Sequence, residues 1–324
     1  MAIRVGVVGV GVHGLHHVRI LSTLPEIELA GIFDIRPAVC ETAAAQFRIR
    51  PFSSLTQLLD SVDCVTVAVP TSAHHEVVLE CLGHDRSVLV EKPIAVSTSE
   101  ADDMIREADK RRLTLAVGHL ERFNAAYRSI QNELVKPAFV ESHRLSVFNP
   151  RGTDVAVVLD LMIHDIDIVL DMVRRPVVSV HASGVAVVSD EADIANARIR
   201  FEGGCVANLT ASRISQRKMR KVRIFQRNAY ISMDFLSGET EMFSLHSDAK
   251  PEASPGVIPQ LMNGISYHKH PPDGLNALEL EFADFIHAVR DGTNPRVTGT
   301  DGRNALEVAS QVMESMELSM RSLE

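Results

Sequence analysis

The sequence predicts an α/β protein of two domains: a doubly wound parallel sheet over residues 1–120, then an α/β domain with an open, largely antiparallel sheet over 121–324. Three observations carry that prediction. Ile3 to Asp34 reads as strand, glycine turn, helix, strand and acid. Short apolar runs then alternate with helical patterns as far as about residue 120. Beyond it, closely spaced strand-like stretches are joined by turns such as Glu202-Gly203-Gly204.

Taken in order, Ile3–Val8 is a strand, and Gly9-Val10-Gly11-Val12-His13-Gly14 opens a helix. Gly9 suits a tight turn, Gly11 lets backbone approach a pyrophosphate, and Gly14 lets helix and strand pack closely. Val12 and His13 lie on the same turn, at a helix N-terminus whose unpaired N–H groups attract phosphate. Ile27–Phe33 is the second strand. It ends at Asp34, twenty residues after Gly14, where a carboxylate accepts hydrogen bonds from an adenosine ribose. That carboxylate repels a 2′-phosphate and selects NAD over NADP, whereas the guanidinium of Arg36 argues the other way. NAD is the expected cofactor and NADP the alternative.

Pro37–Phe47 is a helix with proline in its first turn. Ser53–Asp60 is a short helix, Asp63–Val69 a strand leading to Pro70-Thr71, His74–Leu82 a helix, and Ser87–Val90 a strand followed by Glu91-Lys92-Pro93. Ser97 with Glu100 forms a capping box for a helix to about Arg112, and Leu113–Val117 is a strand. Ligands of such sheets sit beyond the strands' carboxyl ends, where the glycine turn, Asp34, Pro70, Thr71, Glu91, Lys92, Gly118 and His119 all fall.

The second domain is expected to hold helices over Leu120–Val135 and Val155–Val173, strands over Phe139–Val147, Val177–Val188, Ile194–Phe201, Cys205–Ser212, Val222–Phe225 and Ala229–Phe235, and closing helices over Leu275–Arg290 and Gly302–Leu323. Lys250–Pro272, with five prolines, reads as a loop. The open face of the sheet needs cover, and pairing with a second copy would supply it.

Composition narrows the function. A net charge of −9 offers no attraction to nucleic acid or acidic membranes, and no apolar run approaches a bilayer span. The N-terminus carries a strand and glycine turn in place of a signal peptide, and Cys40, Cys64, Cys81 and Cys205 are scattered without a CxxC pair. A cytoplasmic protein with reduced thiols is expected, with a small-molecule substrate and no nucleic-acid or membrane partner.

Lys92 follows a buried strand on the cofactor face, where an ammonium lowers the pKa of a substrate hydroxyl and stabilises an alkoxide. Asp160 and His164 stand four apart on an otherwise apolar helix, so they share a face. Imidazole takes a hydroxyl proton near neutral pH and a carboxylate orients it. Asp165 and Asp167 are expected to bond to backbone or a neighbouring helix. With Asp160 and His164, Asp167 raises a metal alternative, but no further ligand set is visible, and no metal is expected. Arg122 sits where the domains meet and reads either as an interdomain ion pair or as a contact to cofactor or substrate. Arg213, Arg217, Lys218, Arg220, Lys221 and Arg223 place six cations in eleven residues. They suit a solvated strand edge, with recognition of a phosphate-bearing substrate as the functional alternative.

Gly9–Gly14, Val69-Pro-Thr-Ser-Ala-His74, Glu91-Lys-Pro93 and Asp160-Leu-Met-Ile-His164-Asp-Ile-Asp167 together resemble the glucose–fructose oxidoreductase / inositol dehydrogenase (Gfo/Idh/MocA) family along essentially the whole chain. The resemblance implies a Rossmann domain, a C-terminal sheet domain, assembly as dimers or tetramers, and oxidoreduction at a sugar or polyol carbon. It places Lys92, Asp160 and His164 at the family's catalytic lysine, aspartate and histidine, and His74 and Glu91 beside the nicotinamide. Val117-Gly-His-Leu-Glu-Arg-Phe-Asn124 is similar to members acting on nucleotide sugars, the UDP-N-acetylglucosamine 3-dehydrogenases, with Ala125 where proline is expected. In those members an aminotransferase partner converts the 3-keto sugar to an amine for lipid A-type glycolipids. Arg151 and Arg213 are candidate substrate contacts, although Asn149–Asp154 lacks the double glycine of many relatives. Alternative substrates are myo-inositol, a simple aldose or a UDP-uronic acid. A non-catalytic NAD(P) sensor is the alternative of another class.

Overall fold

The computed structural model describes residues 2–131, 136–148, 155–245 and 265–321. The chain forms two compact units, Met1–Phe123 with Asn276–Glu307, and Asn124–Leu275 with Val308–Glu324.

The first unit holds five parallel strands: β1 (Ile3–Val8), β2 (Ile27–Phe33), β3 (Cys64–Val67), β4 (Ser87–Glu91) and β5 (Leu115–Gly118). Their order, β2-β1-β3-β4-β5, reverses between β1 and β3. Val5, Val7, Cys64, Val65, Val88 and Val90 are fully buried, as strands covered on both faces require. Helices α1 (Val12–Leu21), α2 (Pro37–Phe47), α3 (Leu55–Leu59), α4 (His74–Gly83) and α5 (Thr98–Arg111) connect them. Helix α1 buries Val18, Ile20 and Leu21, each worth about 1.5–3 kcal/mol when fully removed from water. Half of the expected capping box forms. Ser97 Oγ accepts the Glu100 N–H at 3.2 Å, but the Glu100 carboxylate accepts from Val96 instead of Ser97.

Residues 276–307 return to this unit, which the expected division at residue 120 does not contain. The helix Ala277–Asp291 buries Phe282, Phe285 and Ile286 in the same core as Val18 and Leu21 of α1. A helical stripe states that a face must be buried, not which distant sheet buries it.

The second unit holds eight strands: β6 (Phe139–Leu145), β7 (Val177–Val185), β8 (Ile194–Phe201), β9 (Val206–Ser212), β10 (Met219–Gln226), β11 (Ala229–Asp234), β12 (Glu239–Leu245) and β13 (Ile265–His270). They lie in the order β13-β12-β11-β10-β6-β9-β8-β7, and every pair is antiparallel except β6 with β9. One face buries Val140, Ala197, Leu209, Val222 and Ile231. On the other, Phe139, Phe225, Tyr230, Phe243 and Tyr267 stand in register across five strands with ring centroids 4.8–6.0 Å apart.

Three sequence expectations are corrected here. Within Leu120–Val135 the described residues form a short 3₁₀ turn (Leu120–Phe123) and one helical turn (Ala125–Arg128), because Asn124 caps the latter through its side chain onto the Ala126 N–H. The Val155–Val173 helix begins later, with a π-helical turn at Val158–Met162 running into Ile163–Val173. Strand β12 was not foreseen, and β13 falls inside the stretch expected as loop. Strand β12 lies between β11 and β13, and β13 forms the sheet edge, so each is defined by its pairing and not by its own pattern.

Candidate active site

In the first unit the expected cofactor residues gather at the carboxyl ends of the strands, around the β1/β3 switch point. Gly9 has φ +85°, and a Cβ there would lie 2.8 Å from the Ala68 carbonyl oxygen. A Cβ on Gly14 would meet the Gly9 carbonyl oxygen at 1.9 Å. The chain itself therefore demands both glycines. Gly11 differs: the nearest atom to its missing side chain is an Arg36 guanidinium nitrogen at 4.0 Å. Gly11 caps α1 without a side-chain bond, and Val12 and His13 beyond it are exposed. Free first-turn N–H groups behind an open glycine fit a pyrophosphate.

Asp34 is 7% exposed. Its Oδ2 accepts the Val10 N–H at 3.0 Å, and its Oδ1 accepts the Arg36 N–H at 2.9 Å and Nε at 3.0 Å. Burial would raise its pKa, but the bonds from Arg36 and Val10 outweigh burial and hold it below the ordinary value.

Pro70 is exposed, and Thr71 opens a single 3₁₀ turn. His74 is buried, with Nδ1 2.9 Å from the Pro93 carbonyl oxygen and Nε2 3.0 Å from that of Val69. It ties the segment after β3 to the segment after β4. Burial pushes its pKa down, against the pull of those carbonyls.

Glu91 and Lys92 are half-buried at the end of β4, and the Lys92–Pro93 peptide is cis. Glu91 Oε1 lies 2.9 Å from Nε2 of His17, and Oε2 accepts the Lys92 N–H at 3.3 Å. Sequence inspection singled out His13 on α1 and missed His17. The signal was available: position 17 is on the helix's buried face, where an imidazole requires partners. Arg122 is 3% exposed, 3.9 Å from Asp301 within the same unit.

In the second unit Asp160 lies on the π-helical turn and His164 one turn beyond it, both half-buried. Turns of this kind often occur at functional sites. Asp165 and Asp167 are buried instead, and Asp165 forms a two-pronged ion pair with Arg144 of β6 at 2.9 and 3.0 Å. Arg213 is 6% exposed. It donates to the Val155 carbonyl at the start of this segment and lies 3.9 Å from Asp193. Asp193 accepts the N–H groups of Val187, Val188 and Ser189, and these overcome burial to bring its pKa down to about 2. Arg223 pairs across strands with Glu141, and Lys221 with Asp234. Arg151 lies outside the described residues. Among the described residues, no group of three or more His, Cys, Asp or Glu side chains gathers as a metal site would need, and no helix is long and apolar enough to cross a membrane.

Residues 3–119 match the model of an oxidoreductase family with an NAD-binding Rossmann fold, and residues 116–232 match the GFO/IDH/MocA C-terminal domain. A UDP-N-acetylglucosamine 3-dehydrogenase of Acidithiobacillus ferrooxidans is 36% identical over 315 residues, 97% of each chain. Its crystal structure superposes with a TM-score of 0.90 over 98% of both chains. A myo-inositol 2-dehydrogenase of Thermotoga maritima is 24% identical over 97% of this chain and 96% of its own. A scyllo-inositol dehydrogenase from Lactobacillus casei, solved with bound NAD(H) and scyllo-inositol, shares the fold at TM-score 0.78 and 18% identity, over 98% of each chain.

Proposed function

The chain belongs to the Gfo/Idh/MocA oxidoreductase family, and from that premise we propose that it oxidises the C3 hydroxyl of UDP-N-acetylglucosamine to a ketone, with NAD as acceptor. One observation carries the choice of substrate: the 36% identity to a UDP-N-acetylglucosamine 3-dehydrogenase extends over 97% of both chains.

The open Gly11, the uncapped α1 and the carboxylate of Asp34 form the cradle for the dinucleotide. Bound there, the nicotinamide supplies the hydride acceptor. Lys92 places an ammonium at the reacting oxygen and stabilises the developing alkoxide. His164 takes the hydroxyl proton at a ring nitrogen, while C3 loses its hydrogen as hydride and the C–O bond becomes a carbonyl. Asp160, one turn before His164, orients that imidazole. General acid–base assistance of this kind contributes about 10²–10⁴ in rate.

A cytoplasmic homodimer or homotetramer fits this role, with the aromatic face of the second unit's sheet covered by another copy. An aminotransferase consuming the ketone, on the way to lipid A-type amino sugars, is the proposed pathway partner. The test is NADH formation from NAD and UDP-N-acetylglucosamine, with the ketone removed by an aminotransferase and glutamate, because hydroxyl oxidation by NAD is uphill. A signal requiring both the UDP group and the C3 hydroxyl supports the assignment. Silence with NAD binding intact rejects this substrate.

A further inference from the structure

We propose that His17 is a positioning residue for Lys92, acting through the carboxylate of Glu91. The role rests on that of Lys92 given above, and it extends the site to a side chain on the helix behind the cofactor turn.

Each oxygen of Glu91 has a distinct task. Oε1 lies 2.9 Å from His17 Nε2, and Oε2 accepts the backbone N–H of Lys92 at 3.3 Å. The side chain thus folds back over its own strand end and fixes the peptide from which Lys92 projects. The neighbouring strand leaves room for this arrangement, since a Cβ on Gly118 would come 3.2 Å from Oε2.

His17 is held as firmly. It is 2% exposed. Its Nδ1 lies 3.2 Å from the hydroxyl of Thr66 on β3, and the ring of Phe282 packs edge-on at a centroid distance of 5.1 Å. These contacts fix the proton logic. A carboxylate accepts only, so Nε2 carries the proton that bonds Glu91, and in the neutral ring Nδ1 accepts from Thr66. Burial opposes charge on Glu91, but the bond from His17 and the nearby ammonium of Lys92 act against it, and its pKa lies below the ordinary 4.5. Glu281, whose charge would repel Glu91, is buried and held neutral. Without His17, Glu91 is a half-buried carboxylate lacking its main donor. It must take a proton or turn toward water, and either change releases the Lys92 peptide.

The experiment compares His17→Leu, which removes the donor, with His17→Gln, whose side-chain N–H can replace it. If the leucine variant does not fold, His17→Asn, too short to reach Glu91, takes its place. The first readout is amide hydrogen exchange at Lys92, followed by NMR in the NADH-bound protein, which needs no turnover. We expect exchange about tenfold faster or more in His17→Leu and near the wild-type rate in His17→Gln. The second readout is turnover with UDP-N-acetylglucosamine. Here kcat falls about 10- to 100-fold in His17→Leu, KM and NADH affinity stay within about twofold, and His17→Gln recovers most of the loss. Unchanged exchange at Lys92 in His17→Leu overturns the inference. So does faster exchange with undiminished kcat, or a loss appearing only as weaker NADH binding. If the wild type itself is silent on this substrate, the substrate assignment fails, and the exchange comparison still decides the role of His17.

Discussion

Asp34 Oδ2 accepts the backbone N–H of Val10 at 3.0 Å, so the carboxylate after the second strand and the glycine turn after the first form one rim. Asp34→Ala removes the proposed ribose acceptor and the Val10 bond that steadies the turn. NADH affinity should fall by about 1.5–3 kcal/mol, the range for hydrogen bonds to a charged group. Arg36, released from its carboxylate, should at the same time narrow the preference for NADH over NADPH. Fluorescence titration with both cofactors checks this, and an unchanged affinity ratio would count against Asp34 as the selector.

Lys92→Met keeps the length of the side chain and deletes its charge. Turnover should drop by about 10²-fold or more while NAD affinity stays near that of the wild type. Near wild-type turnover would remove Lys92 from the mechanism.

Arg144 and Asp165 are 2% and 3% exposed at their side chains and joined by two hydrogen bonds. Asp165→Ala removes both of these bonds from a buried guanidinium packed against the helix that carries His164, and should cost about 3–5 kcal/mol. Replacing both partners with apolar residues of similar volume should restore much of that loss. Urea denaturation of the two variants decides it, equal losses being the contrary result.

Glu281 is buried beside the charges of Glu91 and Asp284, and burial above all raises its pKa well above the ordinary 4.5. The folded protein binds this proton more tightly than the unfolded chain does. Its stabilising contribution is therefore full below that value and is lost as the pH rises through the folded pKa. Glu281→Gln, which has no proton to lose, should gain in melting temperature over the wild type between about pH 5 and about pH 8. Parallel Tm curves would show that this carboxyl does not titrate on unfolding.

The opposite sign holds for Asp193, whose pKa is depressed from 3.8 to about 2 by three backbone N–H groups and Ser189, against the effect of burial. Its contribution is present above 3.8 and is lost as the pH falls from there through about 2. Asp193→Asn should be less stable than the wild type at neutral pH and converge with it in acid. A constant difference in stability across that range would refute the assignment.

The glycine turn and the acid beside it were legible because their signals are local. Gly9 and Gly14 are forced by φ and by close approach within one turn, and Asp34 follows at the end of the next strand. The π-helical turn under Asp160 was not legible, because an apolar run carrying four aspartates and a histidine satisfies an α-helix equally well. The open sheet face was foreseen, but its register of five aromatic side chains was not, since β12 and β13 acquire meaning only as partners of β11 and of each other.

By itself, then, the sequence determined the βαβ order, the glycine cradle, the family, and which lysine, aspartate and histidine to suspect. Each follows from chain-local periodicity or from a short motif. Only the tertiary structure decided that helix Ala277–Asp291 returns to the first unit, that Arg144 neutralises Asp165, and that His17 holds Glu91. Those outcomes join segments 21 residues apart for Arg144 and Asp165, and 74 apart for His17 and Glu91. A buried charge must find its partner wherever the fold brings one, and no local pattern in the chain specifies where that is.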